Sequence, residues 1–111
     1  MAGIRVGDGD TIIRGNIVGW TGKESGEYAT GAGIVVIKSS CSVQHNWVWG
    51  NKYGMIIGGT TADHSVTDNF VEQNDQYGIW MTSIKRSLVF NNRIRMGAHF
   101  YNLQGQSLVP L

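Results

Sequence analysis

Apolar and polar residues alternate along this chain in short stretches, and the same arrangement returns several times. Its clearest marker is an asparagine that has one aliphatic residue two positions after it and another three positions before it. The asparagines of this motif are Asn16, Asn46, Asn69 and Asn92, at intervals of 30, 23 and 23 residues. Alternation with a period of two predicts β-strands, and a repeat of about 20 to 25 residues predicts stacked units that share one core. Leucine-rich repeats have a similar length, but they need several leucines per unit, and leucine is rare here.

A second motif, a glycine followed by apolar residues at the first and third positions after it, recurs between the asparagines. Its copies begin at Gly3, Gly33, Gly54, Gly78 and Gly97. Because strands stacked coil on coil lie about 4.8 Å apart, equivalent positions should contact one another as columns. The aliphatic residues before and after each asparagine predict two more inward columns. The inward columns predicted from the glycine motif are Ile4, Ile34, Met55 and Ile79, and Val6, Val36, Ile57, Met81 and Phe100.

The asparagine column has two physical reasons to recur. Asparagine tolerates the left-handed backbone conformation of turns, and an inward amide can bond to the amides of the coils above and below. From Gly3 to about Phe100 these columns resemble the parallel β-helix repeat of the pectin-lyase-like superfamily, and most of all phage tailspike-type β-helices. The resemblance implies an all-β, right-handed parallel β-helix solenoid of about four to five coils. It implies little about function, because that fold carries many unrelated activities.

The chain of 111 residues is long enough for one domain. We expect residues 1–111 to form a single β-helix domain, with the coils over about 3–100 and residues 101–111 as a C-terminal cap or a swapped tail. The formal net charge is +1 and no basic run is interleaved with aromatic residues, so we expect no nucleic-acid partner. No apolar run is long enough to cross a bilayer and no signal-peptide core is visible, which predicts no membrane partner and is compatible with a virion or cytoplasmic location.

The search for catalytic chemistry finds scattered acids. Glycosidases and lyases of the superfamily use clustered carboxylates, or carboxylates that hold Ca²⁺ beside a basic residue. The predicted columns that contain Asp68 and Glu72 hold no second acid, and Glu72 should form a surface salt bridge with Arg95. His45, one coil from Asp68, could be a general base with an orienting carboxylate, but an ordinary ion pair or turn hydrogen bond is the simpler interpretation. The catalytic candidates are Asp63, His64, Asp68, Glu72 and His45.

Metal and thiol chemistry are not indicated. The three histidines fall in three different columns, so we expect no metal site and no cofactor. Cys41 shares a predicted column with Thr11, His64 and Ser87, which indicates a packed structural thiol.

Outward positions carry more apolar side chains than a solvated face needs. A contiguous apolar stripe of this kind marks a contact site, and a short solenoid needs caps or partners at its ends. We therefore expect a homo-oligomer, and the tailspike resemblance implies a trimer with the stripe at its axis. The predicted interface residues are Val35, Ile37, Ile56 and Trp80. The predicted ligand-binding aromatics are Trp47, Trp49, Tyr53, Phe70 and Tyr77.

Two functions remain open from the sequence. The first is a non-catalytic trimeric β-helix module of a tailspike-like or cell-surface-facing protein, which is structural or recognises a polysaccharide or another virion protein. The second is a small polysaccharide-active enzyme, a lyase, glycoside hydrolase or epimerase, with a site on the lateral face or between subunits. The enzyme would need carboxylates from two chains or from a polar loop predicted at residues 21–30. The scattered acids and the outward apolar stripe favour the module.

Overall fold

The computed structural model describes residues 2–7, 9–19, 31–37, 40–58, 63–82, 85–95 and 99–103. The loop predicted at residues 21–30 and the tail from residue 104 onward lie outside these ranges. Within the described residues, no helix is long and apolar enough to cross a membrane.

Short strands account for most of the described chain, as the period-two alternation predicts. Several begin just after a corner that contains glycine, asparagine or aspartate, residues that suit turns better than strands; examples are Gly9-Asp10 before β2 and Gly50-Asn51 before β7. The strands are β1 (Ala2–Val6), β2 (Thr11–Arg14), β3 (Ile17–Gly19), β4 (Ala32–Ile37), β5 (Cys41–Gln44), β6 (Trp47–Trp49), β7 (Tyr53–Gly58), β8 (Ser65–Thr67), β9 (Phe70–Glu72), β10 (Tyr77–Met81), β11 (Leu88–Phe90), β12 (Arg93–Arg95) and β13 (His99–Leu103).

Every third strand pairs with its equivalent in the next coil, and the described pairings are parallel. Sheet A has the order β1-β4-β7-β10-β13, sheet B the order β11-β8-β5-β2, and sheet C the order β12-β9-β6-β3. This arrangement is a parallel β-helix with three strands per coil, which confirms the predicted all-β solenoid.

The core is made of the predicted columns. Ile34 pairs with Met55, which pairs with Ile79, and all three are buried. Gly33 lies so close to the next coil that an added Cβ would be 2.5 Å from Val48 Cγ1 and 2.7 Å from the Gly54 carbonyl oxygen. The glycine motif is therefore explained by close packing between the strands of sheet A and the core.

The predicted asparagine ladder is present inside the helix. The side-chain amide of Asn16 donates to Asn46 Oδ1 at 3.0 Å, that of Asn46 to Asn69 Oδ1 at 3.0 Å, and that of Asn69 to Asn92 Oδ1 at 2.9 Å. Each of these acceptor oxygens also receives the backbone N–H of the preceding asparagine. The ladder satisfies buried polar groups through successive coils, as an inward polar column must.

The left-handed backbone conformation occurs one residue earlier than predicted. It is adopted by Gly15, His45, Asp68 and Asn91, with φ values of 70°, 55°, 58° and 57°. The ladder asparagines are not among the described residues with positive φ. The residue before the asparagine turns the corner, and the asparagine supplies the hydrogen bonds.

The register predicted for the fifth glycine motif is wrong. The prediction aligned Phe100 with Met81, whereas the structure pairs Met81 with Leu103 and leaves Phe100 50% exposed. β12 ends at Arg95, so the predicted alignment would leave no residue to turn the corner into β13. With β13 beginning at His99, residues 96–98 separate the two strands.

Candidate functional site

The exterior of sheet C carries a cluster of three neighbouring aromatic side chains, Trp47, Trp49 and Phe70, of which Trp47 is exposed. In β6 the central Val48 points into the core, so the alternation of the strand turns Trp47 and Trp49 outward. In β9 the same alternation turns Phe70 and Glu72 outward. Strand pairing then places Trp47 beside Phe70 and Trp49 beside Glu72. The outward residues of this surface, called the sheet C face below, are Ile17, Trp47, Trp49, Phe70, Glu72, Arg93 and Arg95.

Trp47 is the centre of this face. Its ring stacks on Phe70, with centroids 6.1 Å apart and ring planes inclined by 10°, and Trp49 lies at 6.5 Å with a tilt of 41°. The indole N–H of Trp47 donates to Glu72 Oε1 at 3.1 Å, which fixes the ring orientation. Trp47 is nevertheless 42% exposed. The result is a flat aromatic surface that is held in place and open to solvent.

The two ends of the face differ in chemistry. At one end Ile17 is exposed, and Trp49 lies over Gly19, where an added Cβ would be only 2.5 Å from the Trp49 ring. At the other end the guanidinium groups of Arg93 and Arg95 lie 5.5 Å and 6.0 Å from the Phe70 ring centroid. The face therefore runs from apolar through aromatic to cationic along the axis of the solenoid.

The structure places the other two predicted ligand aromatics elsewhere. Tyr53 and Tyr77 stack at 6.3 Å on the exterior of sheet A, and both contact Trp80, at 5.7 Å and 5.5 Å. Tyr53 is buried, and burial, with the charge of Tyr77 as a smaller cause, raises its pKa. These tyrosines belong to one cluster with the predicted interface residues Val35, Ile37, Ile56 and Trp80. Val35 is only 3% exposed, so Ile37, Ile56 and Trp80 carry the accessible surface of that stripe.

The catalytic candidates do not form one site. Asp63 is held by Arg86, with Nε to Oδ1 at 2.9 Å and Nη2 to Oδ2 at 3.2 Å, and this hydrogen bonding lowers the pKa of the Asp63 carboxyl. His64 is buried in the core, with its Nδ1 3.4 Å from Cys41 Sγ. Although they are adjacent in sequence, the Asp63 side chain faces solvent and the His64 side chain faces the core.

The remaining candidates are explained by local structure. His45 and Asp68 stack in adjacent coils as predicted, with the His45 N–H bonded to the Asp68 carbonyl oxygen at 3.1 Å, and both occupy the left-handed corner position. The Asp68 carboxylate accepts a hydrogen bond from the Asn91 amide. Glu72 bonds to Trp47, and its predicted salt bridge to Arg95 is not among the ion pairs found between described residues. None of these contacts pairs two carboxylates.

Cys41 behaves as the packed thiol that its column predicts. It is buried, and burial raises its pKa to about 12. Two contacts follow the predicted column: strand pairing aligns Cys41 with Thr11, and two coils further on the Ser87 hydroxyl accepts a hydrogen bond from the backbone N–H of His64. Cys41 and Asp63 also line a shallow groove of about 320 Å³, whose wall includes Asp10, an acid that the sequence did not single out. Because Arg86 holds Asp63, the described residues of the groove wall offer no free carboxylate pair.

A family model described as "Periplasmic copper-binding protein (NosD)" matches residues 2–106. The chain therefore belongs to the NosD family, a family of right-handed parallel β-helices within the pectin-lyase-like superfamily. No curated protein and no solved structure matches it.

The copper binding in the family's description can be tested against the donors of this chain. Soft thiolate and imidazole ligands suit copper, and Cys41 with His64 is the described pair of that type. Among the described residues, however, no group of three or more histidine, cysteine, aspartate or glutamate side chains could hold a metal ion. The described residues do not fit a copper centre.

Proposed function

We propose that this β-helix of the NosD family is a non-catalytic recognition module that binds a glycan on the sheet C face. The observation that carries the proposal is Trp47, which stacks on Phe70 and is fixed by Glu72 while it remains 42% exposed. Flat aromatic rings suit the apolar faces of sugar rings. A ring that is already ordered loses little conformational entropy when a ligand binds, so the gain from stacking is retained.

The shape of the face supports a chain-like ligand. Equivalent positions of neighbouring coils are about 4.8 Å apart, so aromatic side chains in one column form a track along the solenoid. Trp47 and Phe70 occupy one such column, and Trp49 widens it. A polysaccharide lying along this track could contact Trp47 and its neighbours with successive sugar rings.

The acids support binding without cleavage. Most glycoside hydrolases use two carboxyl groups that flank the scissile glycosidic bond. The strands of sheet C carry a single acid, Glu72, and it accepts a hydrogen bond from the Trp47 indole. The alternative, a small polysaccharide-active enzyme, would need carboxylates from a second chain or from residues 21–30, which lie outside the described ranges.

Assembly as a tailspike-like homotrimer belongs to the same proposal. Ile37, Ile56 and Trp80 form a half-buried apolar strip on the exterior of sheet A, on a different wall from the glycan face. Packing these strips together would leave three sheet C faces directed outward. Weak single-site binding would then be strengthened by multivalent attachment to one polysaccharide.

The test is a panel of neutral and acidic polysaccharides, with binding followed by tryptophan fluorescence and by affinity electrophoresis. We expect Trp47→Ala to lose binding by roughly tenfold or more, which is the loss expected for one aromatic–sugar stack. Phe90→Ala is the matched control, because Phe90 is also an exposed aromatic but lies at the end of β11 in sheet B. Equal loss in both variants, or none in Trp47→Ala, would contradict the proposed site.

The same panel separates the module from the enzyme. Each polysaccharide is incubated with the protein and assayed for new reducing ends and for unsaturated products. We expect neither. Turnover that disappears in Asp63→Asn or Asp68→Asn would replace the recognition proposal with the enzyme.

A further inference from the structure

We propose that the ligand of the sheet C face is an anionic saccharide whose carboxylate or sulfate groups are bound by Arg93 and Arg95. This inference rests on the proposed glycan site and adds its chemical class. It comes from the end of the aromatic track at β12, where Arg93 continues the column of Trp47 and Phe70, and Arg95 lies beside it in the column of Trp49 and Glu72.

The two arginines are placed by the register of sheet C. Arg93 pairs with Phe70, which pairs with Trp47, so one column presents an indole, a phenyl ring and a guanidinium in consecutive coils. Arg95 pairs with Glu72 in the parallel column. Two coil spacings put Arg93 about 10 Å from Trp47 along the axis, so a ligand that reaches both must be longer than a single sugar ring.

Both guanidinium groups are held against Phe70 and face solvent. Their carbon atoms lie 5.5 Å and 6.0 Å from the ring centroid, and both side chains are exposed. Between described residues, neither forms an ion pair. This proximity to the ring favours a cation–π interaction for each arginine, while their N–H groups stay available for hydrogen bonding.

The charge of the face favours an anion. Sheet C carries Arg93 and Arg95 against one acid, Glu72, whose Oε1 accepts from the Trp47 indole. Guanidinium groups form bidentate hydrogen bonds with carboxylates and related oxyanions, and these charge-assisted bonds are stronger than neutral ones. A neutral glycan would use the aromatic track and leave both arginines without a ligand group.

The experiment compares a polyuronate with the same polymer after its carboxyl groups have been reduced to alcohols. The two differ in charge and share their sugar linkage, so the ratio of their dissociation constants isolates the contribution of the anion. We expect the protein to bind the polyuronate about tenfold or more tightly, and this preference to weaken as salt is raised. In Arg93→Gln/Arg95→Gln the preference should fall to about twofold or less, while binding of the reduced polymer is unchanged.

Arg14→Gln is the matched control, because Arg14 is also exposed but lies at the end of β2 in sheet B. It should keep the full preference for the polyuronate. A double arginine variant that keeps that preference, or an Arg14 variant that loses it equally, would overturn the inference and leave the aromatic site intact. If neither polymer binds, or if Trp47→Ala binds both as tightly as the parent does, the proposed glycan site itself is overturned.

A single-stranded oligonucleotide is included as a second anionic polymer, because stacked aromatics beside arginines also bind unpaired bases. We expect it to bind at least tenfold more weakly than the polyuronate, in keeping with the formal net charge of only +1. Oligonucleotide binding as tight as that of the polyuronate would overturn the saccharide assignment.

Discussion

Asn69 is the ladder residue whose removal should cost the most stability. Its side chain is 2% exposed and takes part in four hydrogen bonds. The Asn69 amide donates to the Val43 carbonyl oxygen at 2.9 Å and to Asn92 Oδ1 at 2.9 Å. Its oxygen accepts both the backbone N–H and the side-chain amide of Asn46, each at 3.0 Å. Leucine at this position fills a similar volume and removes all four.

The cost follows from the donors that are left behind. Asn69→Leu leaves two N–H groups of the buried Asn46 without their acceptor, and each buried unsatisfied group costs about 1–3 kcal/mol. The apolar surface of leucine offsets part of this. We expect a net loss of about 2–4 kcal/mol in the free energy of unfolding, and each kcal/mol should lower the Tm of a domain near this size by roughly 4–8 °C.

Asn16 provides a control within the same ladder. Its amide donates to Asn46 Oδ1 and to the Arg14 carbonyl oxygen, and no described residue donates to its side-chain oxygen. Asn16→Leu therefore removes a donor from two acceptors and leaves no donor without a partner. One of the two acceptors, Asn46 Oδ1, still receives the Asn16 backbone N–H. We expect a loss below about 1 kcal/mol.

Urea denaturation of the parent and both variants, followed by tryptophan fluorescence and by circular dichroism, gives the two free-energy changes. The expected result is a much lower midpoint for Asn69→Leu than for Asn16→Leu, with similar dependence on urea. Equal midpoints for the two variants would refute the reasoning, because they would show that the ladder does not satisfy buried donors.

Two further predictions concern the thiol and the outer strip of sheet A. Burial raises the pKa of Cys41 from 9.0 to about 12, so between these pH values the unfolded chain loses a proton that the folded chain keeps. The free energy of unfolding should therefore fall by about 1.4 kcal/mol per pH unit above pH 9. Urea titrations at several alkaline pH values should show that slope reduced in Cys41→Ala, and an unchanged slope would contradict the burial of the thiol. Ile56→Asp should dissociate the proposed trimer in analytical ultracentrifugation, whereas Ile12→Asp, at a highly exposed position on sheet B, should not. A parent chain that sediments as a monomer would contradict the assembly.

The inward half of this fold is predictable from sequence because stacking forces each position against its equivalent in the next coil. A column of β-branched residues or of asparagines must then appear in the sequence at the repeat interval. Asn16, Asn46, Asn69 and Asn92 show this most clearly, and their hydrogen bonds follow the predicted order. The cysteine column was predictable for the same reason.

Two inward features escaped the sequence reasoning. Asn51 and Asn74 form a second buried ladder, with the Asn51 amide donating to Asn74 Oδ1 at 3.2 Å. Their spacing of 23 residues equals that of the main ladder, so the signal was present, but two copies do not establish a repeat. The glycine motif at Gly97 does not mark the register of β13, because three residues separate the end of β12 from the start of β13.

The outward half is harder to predict, because the sequence indicates which side chains point outward but not which of them are covered by neighbouring side chains. Tyr53 and Ile56 are three positions apart and belong to the same outer cluster, although strict alternation would place them on opposite faces. The alternation is interrupted near Gly54, whose neighbours Tyr53 and Met55 pair in register with Ala32 and Ile34 but contribute to different clusters. The sequence therefore indicates outward tyrosines without showing that they contact the predicted interface residues.

The division between inward and outward columns also explains why family membership leaves the ligand open. Inward residues such as Val48 and Val71 hold the coil together, and any chain with this fold must supply their equivalents. Trp47 precedes Val48 in β6 and Phe70 precedes Val71 in β9, but both aromatic side chains face outward. They can therefore be exchanged without altering the core. A β-helix can therefore keep its fold while its outer columns change from one ligand to another. Here the outer columns of sheet C supply the stacked rings of Trp47 and Phe70 followed by two arginines, and that order of side chains is the reason for proposing an anionic saccharide ligand.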